Sequence, residues 1–199
     1  MRLRILQYGS PVLRAKGRRV EKIDENIRQL AADMIDTMHA ANGVGLAAQQ
    51  IGQALQLTVI DVSQVEDRPS TLKLNGRFVD PKAASPLVLI NPEIVLGDET
   101  SIGVEGCLSF PEITGDIERA EMVRARAQAL DGSEIDLEAS GLFARALQHE
   151  VDHLNGILFI DRMNSAAKTA LASRLKKMQK ETERATRQNR QSVETEPAL

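Results

Sequence analysis

His149 and His153 stand four residues apart in the run His149-Glu150-Val151-Asp152-His153. On a helix that spacing puts both imidazoles on one face, where their ring nitrogens can reach a single cation. Glu150 sits one step round, able to act on a water at that cation without being a ligand itself. A tetrahedral ion in a hydrolase normally takes three protein ligands and leaves the fourth position for water, so a third ligand is required. His39 lies far upstream and reads as a plain helix residue, and Glu181 and Glu183 lie in a polar tail. Cys107 is the remaining soft donor, in the run Glu105-Gly106-Cys107-Leu108-Ser109-Phe110-Pro111, which reads as a tight turn beside a strand. A lone cysteine can simply be a small buried hydrophobe, but two imidazoles at ligand spacing favour the ligand reading. A thiolate and two imidazoles suit a borderline transition metal. These residues alone leave three options open: a hydrolase, a zinc endopeptidase, or a non-catalytic metal-stabilised module, the last needing a fourth ligand.

The elements that must position these groups follow from periodicity. Residues 140–154 are apolar nearly all round, with Ser140 as a good N-cap, so the helix carrying the histidines should be central and buried. Asp152 on it either orients an imidazole or is a solvated charge. Residues 24–41 carry Ile27, Leu30, Ala31, Met34, Ile35 and Met38 at helical steps, ending at Asn42-Gly43. Residues 57–62 read as a strand, 63–85 as a long loop or irregular hairpin, and 87–91 and 93–96 as short strands broken by Pro92. Residues 122–130 alternate, and Asp131-Gly132 turns them into a hairpin through Ile135 and Leu137. Strands and helices do not alternate along the chain. The expected fold class is therefore α+β, with antiparallel strands packed around the central buried helix and a C-terminal helical tail.

The expected organisation is a catalytic domain at 1–162, a basic helix at 163–190 and a disordered tail at 191–199. In that helix Ala166, Ala167, Ala170, Leu171, Leu175 and Met178 fall on one side, with Lys168, Arg174, Lys176, Lys177, Lys180, Arg184, Arg187 and Arg190 around the rest. On its own it reads as a solvated helix whose basic residues suit its C-terminal dipole. The whole chain, 199 residues with net charge −3, offers no field pointing at DNA or an anionic membrane. Aromatic residues are only 3% and Trp is absent, against a stacking surface for single strands. Neither a signal peptide nor a bilayer-length apolar run is visible, and the single cysteine forms no intrachain disulfide, so the cytoplasm is the expected compartment.

Three separated blocks, GVGLAAQQ at 43–50, EGCLS at 105–109 and QHEVDHL at 148–154, resemble in order and spacing the GxGLAAxQ, EGCLS and QHExDH patterns of the peptide deformylase family. The resemblance covers about residues 1–162. It implies that Cys107, His149 and His153 bind one divalent ion, typically ferrous iron with nickel, cobalt or zinc also accepted, and that Glu150 is the general acid/base. It further implies that Gln50 and the backbone N–H of Leu108 stabilise an oxyanion, and that Val44, Gly45 and Gly106 hold the substrate backbone. Leu142, Val44 and Ala146 are candidates for a methionine pocket. The implied substrates are N-formylmethionyl peptides, which release formate, and the ribosome is a candidate partner of the basic helix. Thr114 stands where family members often carry an arginine that contacts the substrate chain.

Overall fold

The computed structural model describes residues 1–194, with side chains to residue 188. Asp24 caps α1 (Glu25–Ala40) by accepting the Ile27 N–H at 3.1 Å, and the expected stripe is buried at Ala31, Met34 and Met38. Asn42 takes the left-handed conformation after it (φ 54°), so the asparagine, not Gly43, makes the turn. β1 (Gly45–Ala47) and β2 (Leu57–Ile60) follow. The region expected as a loop or irregular hairpin holds a regular hairpin of β3 (Ser70–Leu74) and β4 (Arg77–Val79). Asn75 and Gly76 turn it with φ of 49° and 78°, the two positive values that a type I′ turn needs.

β5 (Leu87–Leu96) passes Pro92 without ending, where two short strands were expected. Its pairing shifts between Ile90 and Glu93, and the Asn91 side chain bonds both the N–H and the C=O of Val20, at 2.8 and 3.0 Å. Pro92 therefore marks a bulge rather than a break.

Around Cys107 the sequence suggests a tight turn beside a strand, and two long strands meet there, β6 (Thr100–Cys107) and β7 (Phe110–Ala120). They form a separate two-stranded ribbon. Its buried positions include Glu105 and Arg119 beside Ile113 and Ile117, so charged residues occupy part of the inward face and disguise the alternation. β8 (Met122–Gln128) and β9 (Glu134–Ser140) make the expected hairpin.

α2 (Gly141–Leu154) is buried at every position from Leu142 to Leu154. Ser140 precedes it but supplies no side-chain cap, because its Oγ pairs with Thr71 Oγ1 at 2.6 Å. Ser70 Oγ instead accepts the Phe143 N–H at 2.9 Å, and Pro69 C=O accepts the Leu142 N–H at 3.2 Å. The cap thus comes from β3. Gly141 has φ 64° and a Cβ there would lie 2.1 Å from Pro69 O, so only glycine lets the chain enter the helix this way. α3 (Ser165–Glu194) lays Ala167, Leu171, Leu175 and Met178 on a cluster formed by Leu13, Phe110, Ile113 and Phe159. It runs past the expected limit at 190, and residues 195–199 of the expected disordered tail lie outside the described residues.

Seven strands form one antiparallel sheet in the order β1-β2-β5-β8-β9-β3-β4, with β1 at an edge. Phe143, Leu147 and Val151 of α2 share a core with Ile60, Leu72, Leu89, Val123 and Leu137 of the sheet. The architecture is the expected α+β arrangement of antiparallel strands on a buried helix. Among the described residues, no helix is long and apolar enough to cross a membrane.

The β6–β7 ribbon is bolted to α2 by buried charges. Glu105 accepts two hydrogen bonds from Arg119 at 2.9 Å and one from Arg145 at 3.0 Å. Arg119 also reaches Asp152, which Arg162 holds at 2.6 Å through both of its oxygens. The Glu105 and Arg119 side chains are 5% and 3% exposed, so neither charge has water as an alternative partner. Removing one member of such a set leaves buried charge uncompensated. Arg119→Met is expected to lower the unfolding free energy by about 3 kcal/mol, and urea denaturation would read it; a change within about 0.5 kcal/mol, as at ordinary surface sites, would contradict the clamp.

Candidate metal centre

Cys107 ends β6 and the two histidines lie one turn apart on α2. Their ligand atoms, one from each of Cys107, His149 and His153, all lie within 4.8 Å of one another. Cys107 Sγ is 3.2 Å from His153 Nε2, and the two imidazole centroids are 5.0 Å apart. His149 Nδ1 meets Glu105 Oε2 at 3.0 Å, which fixes the ring and leaves Nε2 for the triad. Burial, Glu105 and Cys107 act together on these rings. Burial opposes charge on His149, but its hydrogen bonds to Cys107 and Glu105 outweigh that and raise its pKa well above the ordinary value. His153 is driven well below the ordinary value by burial, then by the neighbouring charges of His149 and Arg119. Glu105 resists ionisation through burial, yet His149 and Arg119 hold its carboxyl down at about 2, so it is an anion at any working pH.

The donor set fits a divalent transition metal: one thiolate and two imidazoles, on a rigid helix and the end of a strand, at the floor of a cavity. Glu150 strengthens the fit. It is 4% exposed, lines that cavity, and its Oε2 has no hydrogen-bond partner among the described residues. Burial pushes its carboxyl up to about 7, with the charge on His149 opposing. Gly45 is what admits it. A Cβ on Gly45 would lie 2.3 Å from Glu150 Oε1, so any side chain there would displace the carboxylate.

The cavity, about 400 Å³, is lined by Val44, Gly45, Gln50, Gly106, Cys107, Leu108, Leu142, Ala146, His149 and Glu150 among others. Every expected site residue except His153 is therefore on one wall of one space, and His153 is buried beside its floor. Gln50 is fixed by the Ala47 N–H, which bonds Oε1 at 2.8 Å. That turns its Nε2 toward Cys107 Sγ and Ser109 Oγ, at 3.5 and 3.3 Å. The N-terminal segment braces the same corner, where the Leu6 N–H bonds Gln50 C=O at 2.7 Å and the Tyr8 N–H bonds Ser109 C=O at 2.9 Å. Among the described residues β1 is a sheet edge and β6 pairs with β7 alone, so two unpaired strand edges flank the space.

The remaining expectations resolve plainly. His39 is not part of the triad; it pairs with Asp61 at 2.7 Å on α1. Asp152 is neither solvated nor bonded to an imidazole, being held by Arg119 and Arg162. Thr114 lines the cavity. The residues that sequence reasoning missed are the supports, Glu105, Arg119, Arg145 and Arg162. Two signals were available. Glu105 is two residues before Cys107, in the same short block, and Arg145 is a charge on the apolar first half of a helix expected to be buried, which demands a buried partner.

A sequence profile of the polypeptide deformylase family matches residues 2–169. A peptide deformylase of Opitutus terrae is 44% identical over 191 residues, covering 95% of this chain and 99% of its own. Peptide deformylase 1 of Clostridium acetobutylicum is 46% identical, covering 80% of this chain and 93% of its own. The crystal structure of a Thermotoga maritima peptide deformylase superposes with a TM-score of 0.70 at 39% identity, covering 82% of this chain and 99% of that one. Arabidopsis thaliana peptide deformylase 1B, in complex with an inhibitor, superposes at 0.79 with 34% identity and 94% of each chain covered. With profile, sequence and fold in agreement over most of its length, the chain belongs to the peptide deformylase family, metal-dependent hydrolases that remove the formyl group from the N-terminus of nascent polypeptides.

Proposed function

We propose that Cys107, His149 and His153 hold the divalent ion of this deformylase and that Glu150 is its general acid/base. The observation that carries the assignment is the convergence of three ligand atoms on the floor of the cavity into which the unpartnered Glu150 carboxylate opens. A divalent cation on those ligands supplies Lewis acidity and brings the pKa of water from about 15.7 toward neutrality.

The chain's own groups do the rest. An N-formylmethionyl peptide lies extended between the free edges of β1 and β6 as an added strand, using the backbone of Val44, Gly45 and Gly106. Leu142, Val44 and Ala146 give an apolar wall for the methionine side chain. Glu150 takes a proton from the attacking water and returns it to the leaving amine as the C–N bond breaks, giving formate and a free amino terminus. Its raised pKa, near neutrality, suits a group that must both accept and donate. Charge that builds on the formyl oxygen meets the Gln50 Nε2–H and the Leu108 backbone N–H; losing one such donor typically costs on the order of 100-fold in rate.

Ferrous iron is the metal that we assign, on the family resemblance and on a donor set that equally accepts nickel, cobalt or zinc. We place the enzyme in the cytoplasm, where a site thiol stays reduced. We also assign the outward face of α3 to the ribosome. Lys176, Lys180, Arg184 and Arg187 are exposed there, while the opposite, apolar face is already used in packing.

Glu150→Gln keeps the side-chain volume and loses the basicity, so it should retain one metal per chain while turnover of formyl-Met peptides falls roughly 100-fold or more; activity within about tenfold of wild type would remove Glu150 from the role. Cys107→Ser should cut metal content well below one per chain by elemental analysis, and an unchanged content would point to a different third ligand. Reversing Lys176, Lys180 and Arg184 to Glu together should leave peptide turnover unaltered yet weaken co-sedimentation with ribosomes at low salt. If ribosome binding is absent in the parent protein, or indifferent to salt, α3 has only its packing role.

A further inference from the structure

A second space, of about 800 Å³, lies next to the metal-site cavity and shares Arg68, Val104, Leu142 and Arg145 with it, so these residues form a neck between the two. Most charges on the inner wall are spoken for. Arg145 is tied to Glu105 and to the carbonyls of Ile117 and Ser101. Glu112 is paired with Arg174 at 3.1 Å. Arg68 differs: it is exposed and makes no hydrogen bond or ion pair with any described residue, which leaves it the one cation on that wall without a carboxylate partner. Its sequence neighbour Asp67 lines only the outer space.

Arg68 is also held in place. The adjoining Pro69 C=O receives the Leu142 N–H, and Ser70 Oγ receives the Phe143 N–H, so the backbone on its C-terminal side is anchored to the first turn of α2. Gly141, at which a Cβ would meet Pro69 O, makes that approach possible. The backbone next to Arg68 is therefore anchored, and the residue lines the cavity together with Leu142 of the apolar wall.

We infer that Arg68 is a specificity residue that reads the charge of the substrate chain immediately after the formylated methionine, favouring an acidic side chain at the second or third residue. The inference rests on the deformylase reading of this cavity. A peptide leaving the site through the neck passes Arg68, and the guanidinium fork matches a carboxylate in geometry and charge. Arg68 is exposed and screened by water, so the effect is one of preference rather than of catalysis.

The test uses the full-length metal-loaded enzyme with formyl-Met-Xaa-Ala-amide and formyl-Met-Ala-Xaa-amide, Xaa being Glu, Gln or Lys; the amide removes the terminal carboxylate. The Glu peptide should exceed the Lys peptide in kcat/KM by about two- to fivefold at one of these positions. The difference should lie in KM and shrink as salt rises to about 0.5 M. Arg68→Gln should bring the ratio to about one and Arg68→Glu should invert it, with the Gln peptides turned over alike by all three proteins. Equal values for Glu and Lys at both positions in the parent enzyme, or a ratio that survives Arg68→Gln, would overturn the assignment while turnover of the Gln peptides leaves the deformylase reading standing. No turnover of any of these peptides would overturn that reading itself.

Discussion

The carboxylate of Glu105 is the interaction from which the site is built. It is almost fully buried on β6, and it receives Arg119 from β7, Arg145 from α2 and the Nδ1 of His149. An anion taken out of water is costly unless its lone pairs are met, and here three side chains from two elements, β7 and α2, converge to meet them. That requirement sets how the ribbon lies on the helix. Cys107 is two residues further along the same strand, beyond a shift in the pairing with β7 between Gly106 and Cys107, and both side chains meet α2, Glu105 at His149 and Cys107 at His153. The same carboxylate fixes which nitrogen of His149 is left for a cation.

Close backbone approach is the second constraint. Glu150 occupies the space where a side chain on residue 45 would be, and the loop before β3 reaches α2 only because residue 141 has none. Both glycines let backbone of the large sheet and α2 approach closely, Gly45 at the Glu150 carboxylate and Gly141 at the loop before β3. Gln50 shows the same economy: one amide oxygen is held by the Ala47 N–H, and the amide nitrogen is thereby pointed at the thiol. The Gln50 amide is thus held by backbone before any substrate arrives, the condition under which an aimed dipole stabilises developing charge at little reorganisation cost.

α3 belongs to the structure on one face only. Leu171, Leu175 and Met178 cover the cluster around Phe110 and Phe159, and Phe110 in turn lines the cavity. Arg174 pairs with Glu112 on the cavity wall. The helix therefore backs the site, and its exposed Lys176, Lys180, Arg184 and Arg187 lie on the face opposite the packed one.

Local sequence determined a good deal. The four-residue spacing of the histidines, the all-round apolarity of 142–154 and the stripe of α1 each depend on neighbours within a few residues, and periodicity reads such relations directly. The three motif blocks pointed to the family for the same reason: each block is short and contiguous. What only the tertiary structure decided are the partnerships across long separations: Glu105 with Arg119 and Arg145, Ser70 capping α2 in place of Ser140, and Arg68 at the neck. The β6–β7 ribbon was hidden because its inward face carries Glu105 and Arg119, whose burial makes sense only once both are in place. A charge reads as solvent-exposed in sequence, since burying it alone is unfavourable; it becomes a core residue only when a partner many residues away arrives to neutralise it, and no local pattern encodes that arrival.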